Sequence, residues 1–132
     1  MGLKGRTSTP DIPLRHFREL LVNSAPPAQA AARALRGAVR TALPAAAESL
    51  HGGSPVGIAS YHVSGRQVCG IEPGATATLL YVNGVSQEDA PGGLKLGGRG
   101  KEDRHIRFAS VNEVRAHADA IRTLLLRAAA RR

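Results

Sequence analysis

The densest run of chemically versatile side chains is Gly97-Gly98-Arg99-Gly100-Lys101-Glu102-Asp103-Arg104-His105-Ile106-Arg107-Phe108. Glycines let backbone N–H groups turn toward a ligand with no Cβ in the way. Guanidinium forks match phosphate and carboxylate in bidentate geometry. Arg99, Lys101, Arg104, His105 and Arg107 are therefore the candidate ligands for an anion. The two-residue period of a strand sets Ile106 and Phe108 toward the core and His105 and Arg107 on the opposite face. A solvated loop, with Glu102 and Asp103 neutralising some of the cations, is the competing reading. His105, whose unperturbed pKa lies near neutrality, is the group that would serve as general acid or base if a small anionic metabolite were turned over there. No carboxylate partner for it is identifiable in the sequence, so a non-catalytic binding site is the stronger expectation.

The patterns of several nucleotide and catalytic sites fail on single residues. A phosphate-binding loop would need glycine at Lys95 and serine or threonine at Glu102. A dinucleotide loop begun at Gly98 would need glycine at Asp103, and the segment leads into a strand instead of a helix. No Gly-x-Ser-x-Gly elbow is present. Cys69 reads as a small core residue. His62 lies across its hairpin, and a one-residue slip in register decides whether the two share a face. The histidines (His16, His51, His62, His105 and His117) form neither an H-x-x-x-H nor an H-E-x-x-H pattern, so no metal site is expected. Glu113 and His117 share a helix face and read as a surface pair, and His51 reads as a loop residue.

Lys and Arg total 18 against 10 Asp and Glu, a net charge of +8 on 132 residues. That field attracts polyanions. The partners it admits are an anionic small molecule or the backbone of a nucleic acid. Aromatic residues are only 3%, which argues against a base-stacking platform and for duplex or structured nucleic acid. The single cysteine excludes an intrachain disulfide and fits a reducing compartment. No apolar run approaches the ~18 residues of a membrane span. The amino terminus has no apolar core for secretion, and Arg6 breaks the myristoylation pattern. A cytoplasmic protein with no membrane partner is expected. The cofactor, if any, is not indicated.

These residues must be positioned by an α+β fold, with a small antiparallel sheet of four to five strands packed with N-terminal helices and a C-terminal helix. Residues 1–11 read as a flexible tail and 12–132 as one domain. A short helix is expected near Leu14 to Val22, with Leu14, Phe17 and Leu21 on one face. A second runs from about Pro27 to Leu43, closed by Pro44 and buried through Ala31, Leu35, Ala38, Val39 and Ala42. Arg33, Arg36 and Arg40 recur on another face of it, most simply a solvated one, with a ligand-facing basic ridge as the lesser alternative. Strands follow at about 57–63, 68–72, 75–82 and 105–109, with turns at Ser64-Gly65 and Pro73-Gly74 and a long loop over 84–101. A capping box, Ser110-Val111-Asn112-Glu113, opens the last helix. Its stripe is Val111, Val114, Ala118, Ile121 and Leu125.

The order of these pieces, and above all Gly98-x-Gly100-Lys101-x-x-Arg104-His105-Ile106-Arg107 before a closing helix, resembles the YdhG-like family of small bacterial proteins, a domain family of unknown function. The likeness covers about residues 12–130. It implies the same α+β fold. Because some members are described as frataxin-like iron chaperones, it also implies iron binding as an alternative function. The acidic pairs Glu88-Asp89 and Glu102-Asp103 are isolated, and no residue of this chain is assigned as an iron ligand.

Overall fold

The computed structural model describes residues 12–52, 57–92, 94–98 and 103–131. The expected tail over 1–11 lies outside them. Six strands form one open antiparallel sheet in the order β1-β2-β3-β4-β5-β6, so each strand lies beside its chain neighbours. They are β1 (Ile12–Pro13), β2 (Ala47–Gly52), β3 (Ile58–Val63), β4 (Arg66–Pro73), β5 (Thr78–Asn83) and β6 (Asp103–Phe108). The helices are α1 (Pro26–Ala42), α2 (Val111–Ala116) and α3 (Ala118–Ala130). The α+β architecture is as expected, but the sheet has six strands where four to five are expected, because β1 and β2 add to one edge of the four located in the sequence.

One face of the sheet carries the core. Leu80, Val82, Ile71, Cys69, Ala59, Tyr61, Ile106 and Phe108 meet Ala31, Ala32, Leu35 and Val39 of α1 and Ile121, Leu124 and Leu125 of α3 in a single cluster. Thr78 ties sheet to helix by donating its hydroxyl to the Ala28 carbonyl at 2.8 Å. The other face carries mostly polar residues, as in antiparallel sheets with one side in water.

Local chemistry explains the element ends. Pro26 opens α1 at a position whose N–H has no helical partner in any case, and Pro44 follows its last residues. Ser64 and Gly65 both have positive φ, 52° and 79°. That is the twist a two-residue hairpin turn needs, and it sets the pairing of Val63 with Arg66. Glu113 donates its N–H to the Ser110 hydroxyl at 3.3 Å, while its carboxylate accepts the Ala109 N–H at 2.8 Å.

Four expectations are corrected. The first helix is only a 3₁₀ turn, Phe17–Leu21, because the extended pairing of Ile12 and Pro13 with Gly52 and His51 carries on through Leu14, whose N–H donates to the Leu50 carbonyl at 2.8 Å. His51 is thereby a β2 residue, not a loop residue. The loop over 84–101 carries structure among its described residues. Buried Val85 and Leu94 anchor it, Gln87 bonds both the Leu94 carbonyl and the Leu96 N–H, and Gly97 exchanges two backbone hydrogen bonds with His105. The C-terminal helix is broken at His117, whose φ of −112° and ψ of 19° lie outside the helical region. The break rotates the apolar stripe. Val114 and Ile121 are both buried, but Ala118 between them faces water.

Candidate anion-binding site

The structure separates the side chains that the sequence grouped. Arg99 and Lys101 lie outside the described residues. On β6, Arg104 pairs with Val82 and therefore shares the core side with Ile106 and Phe108. There it donates from Nη1 to the Gly98 carbonyl at 2.7 Å. His105 and Arg107 emerge on the opposite face. The imidazole of His105 lies over Gly97, where a Cβ would come within 2.7 Å of Nε2, and 5.7 Å from the Tyr81 ring centroid. Arg107 joins Lys95, His117 and Glu113 at a small hollow of about 290 Å³ beside β6 and α2. Arg104 is thus on the other side of the sheet from His105 and Arg107, because the strand begins at Asp103 and its alternation runs through Arg104.

Cys69 is settled by register. It stands opposite Tyr61, while a bulge between Tyr61 and His62 moves His62 to Gln67. The thiol is fully buried, and burial pushes its pKa up to about 12. Among the described residues, no three His, Cys, Asp or Glu side chains gather as a metal site, and no helix is long and apolar enough to cross a membrane.

A different set of cations does converge. Arg15, His16 and Arg18 flank Phe17 on the 3₁₀ turn, and Arg33 and Arg36 project from α1 toward them. Together they line a cleft of about 460 Å³. The turn exists because Phe17, Leu20 and Leu21 bury themselves under the sheet edge. Its charged residues are left outside by the same geometry. Phe17 is 5% exposed, and the Arg36 guanidinium sits over its ring at 4.8 Å, a favourable cation–π contact.

Among the described residues, two carboxylates bonded to groups of the cleft are already engaged. Glu19 accepts the backbone N–H groups of Arg15 and His16 at 3.0 and 2.7 Å. The His16 N–H leads in holding its carboxyl below the usual range, with help from the Arg15 N–H and the charges of His16 and Arg18. Glu48 accepts a two-pronged contact from Arg36, 2.9 Å from Nε and 2.8 Å from Nη2, and the Tyr61 hydroxyl at 2.6 Å. The Arg36 contact chiefly lowers its pKa. Burial, then Glu48, raises that of Tyr61. Among the described residues, no carboxylate forms an ion pair with the side chain of Arg15, Arg18 or Arg33.

Beyond Arg36 lies a second hollow of about 430 Å³, bordered by Arg36, Arg40, Glu48 and Tyr61. Arg36 is the wall common to both depressions. Sequence reading takes the α1 arginines most simply as a solvated face, with a ligand-facing basic ridge as the lesser alternative, and does not single out Arg15, His16 and Arg18. The available signal was the pair of clusters: cations at 15, 16 and 18, a Pro-Pro helix start, then arginines at 33, 36 and 40 on one helical face. Comparison of the chain with protein-family models, with curated proteins and with solved structures returns no match, and the functional reading rests on this geometry.

Proposed function

We propose that the protein is a non-catalytic binding module that holds an anionic group in the cleft between the Phe17–Leu21 turn and α1. The observation that carries this reading is the convergence of Arg15, His16, Arg18, Arg33 and Arg36 on one depression whose nearby carboxylates, Glu19 and Glu48, are spoken for. An oxyanion entering the cleft meets guanidinium donors and, among the described residues, displaces no carboxylate from Arg15, Arg18 or Arg33. The groups best suited to covalent chemistry, Cys69 and Tyr61, are turned into the core. The sequence resemblance to the YdhG-like family, with its cationic run ending at Arg107, is compatible with such a module. The hollow of Lys95, Arg107 and His117 is the second place where an anion could lodge.

Titration of the isotopically labelled protein with inorganic phosphate, followed by amide and arginine Nε–H resonances, tests the reading. Saturable shifts at Arg15 to Glu19 and at Arg33 and Arg36 are expected, and the R18A/R33A double variant should lose them. Saturation confined to Lys95, Arg107 and His117 would move the site to β6. No saturable shift at either place would end the anion-binding reading.

A further inference from the structure

We infer that the partner at this cleft is a nucleic-acid duplex held by its phosphate backbone, a step that rests on the anion-binding reading above. The cations run in a line longer than one anion needs. Arg33, Arg36 and Arg40 occupy one face of α1, and seven residues of helix advance about 10 Å. Arg15 and Arg18 extend the line from the neighbouring turn. One strand of a duplex carries a phosphate every ~3.4 Å of axial rise and winds as it advances, so a ridge of this length outreaches a single phosphate. The two depressions meet at Arg36, whose guanidinium holds Glu48, and Arg33 in the first and Arg40 in the second stand on either side of it.

Gly37 supplies an independent observation. It stands in the interior of α1, exposed, between Arg33 and Arg40 on the ridge, and a Cβ built there would meet nothing within 4 Å. Its φ is not positive. Glycine in a helix interior is destabilising relative to alanine, and neither packing nor backbone conformation asks for it here. Its effect is to leave a bare floor between the arginines, where a sugar-phosphate backbone can approach the helix.

The aromatic inventory favours duplex over single strand. Phe17, the aromatic residue in the cleft, is buried beneath Arg36. It offers no open face for an unpaired base, and stacking is what single-strand binders depend on.

The test is fluorescence anisotropy of the full chain with a short mixed-sequence DNA duplex across a range of NaCl. With Arg15, Arg18, Arg33 and Arg40 contacting phosphates, log Kobs against log salt should fall with a slope of roughly −3 to −4. Arg33→Ala and Arg40→Ala should each make it shallower by about 0.9. Gly37→Glu should weaken binding about tenfold or more by placing a like charge against the backbone. The unfolding midpoint of Gly37→Glu itself, expected no lower than that of the parent because glutamate is a better helix former than glycine, separates this loss from one of fold. Arg122→Ala, exposed on α3, should change nothing. A slope near zero, unchanged binding in the Arg33 and Arg40 variants, or tighter binding of single strand than of duplex would overturn the proposal. Phosphate binding without duplex binding would sink this partner and leave the anion site standing; loss of both would remove both.

Discussion

Two arginine-rich regions of this molecule use the same side chain in opposite ways. At the C-terminal corner, every guanidinium with a described contact is spent on the protein itself. Arg66 reaches across from β4 and donates to the carbonyls of Ala128, Ala129 and Arg131, closing the end of α3 where helix carbonyls lack partners. Arg131 pairs with both carboxylate oxygens of Asp89, and Arg127 donates to the Asp89 carbonyl. At the N-terminal cleft, Arg15, Arg18 and Arg33 face one another across a depression with no such partner among the described residues. Arg36 is anchored there, and its anchor, Glu48, holds it in place as a fixed wall. A net charge of +8 therefore does not describe a uniform surface. Part of it is structural, and part remains available to a ligand.

Substitution separates the two roles. The largest loss is expected at the anchor. Glu48→Ala strands the half-buried Arg36 and the buried Tyr61 hydroxyl, and should cost about 2–3 kcal/mol in denaturant unfolding, since removing one partner of a desolvated charged pair is more damaging than the pair is favourable. Next, Arg66→Ala should lose about 1–2 kcal/mol, the range for charge-assisted bonds to carbonyls that are partly shielded from water. Arg131→Ala removes an exposed pair and should cost no more than about 1 kcal/mol, diminishing with salt. Arg18→Ala and Arg33→Ala should change stability by less than about 0.5 kcal/mol while abolishing phosphate binding. If those two proved as destabilising as Arg66→Ala, the division into structural and available cations would collapse.

Acid should sharpen the same contrast. Glu48, Glu19 and Asp89 are all held below their ordinary pKa in the folded state, chiefly by Arg36, the His16 N–H and the Ser86 N–H respectively. A depressed folded pKa contributes stability that is present above the unfolded value and disappears as pH falls through the folded one. Unfolding monitored downward from about pH 5 should therefore show progressive loss below about pH 4, and Glu48→Gln should flatten that profile.

Much of the scaffold was legible because its signals were local. Pro26-Pro27 and Pro44 bracket α1, Ser64-Gly65 marks its hairpin, and Ser110 with Glu113 starts α2. The missed β2 had a specific disguise. Its core-side positions are Glu48, Leu50 and Gly52, so a charged residue stands where alternation asks for an apolar one. Only Arg36 and Tyr61, brought by other elements, make that position tolerable. The site was hidden for a related reason. Arg15 and Arg18 are separated from Arg33 and Arg36 by a turn and half a helix, and their meeting depends on Phe17 seating under the sheet edge. The run at 98–107 was conspicuous because it was contiguous, but contiguity on a strand sends Arg104 and His105 to opposite faces. His117 gave no breaker signal at all, being neither Gly nor Pro.

The strand order carries a kinetic corollary. A meander in which neighbours in space are neighbours along the chain closes only short loops as it grows, which favours rapid folding. During synthesis, hairpins β3–β4 and β4–β5 can zip in order as they emerge. Their apolar side is covered only in part by α1, which precedes them in the chain, until Ile121, Leu124 and Leu125 of α3 follow. The nascent sheet is thus most exposed to aggregation in the interval between the emergence of β6 and that of α3, whose apolar side chains shield it.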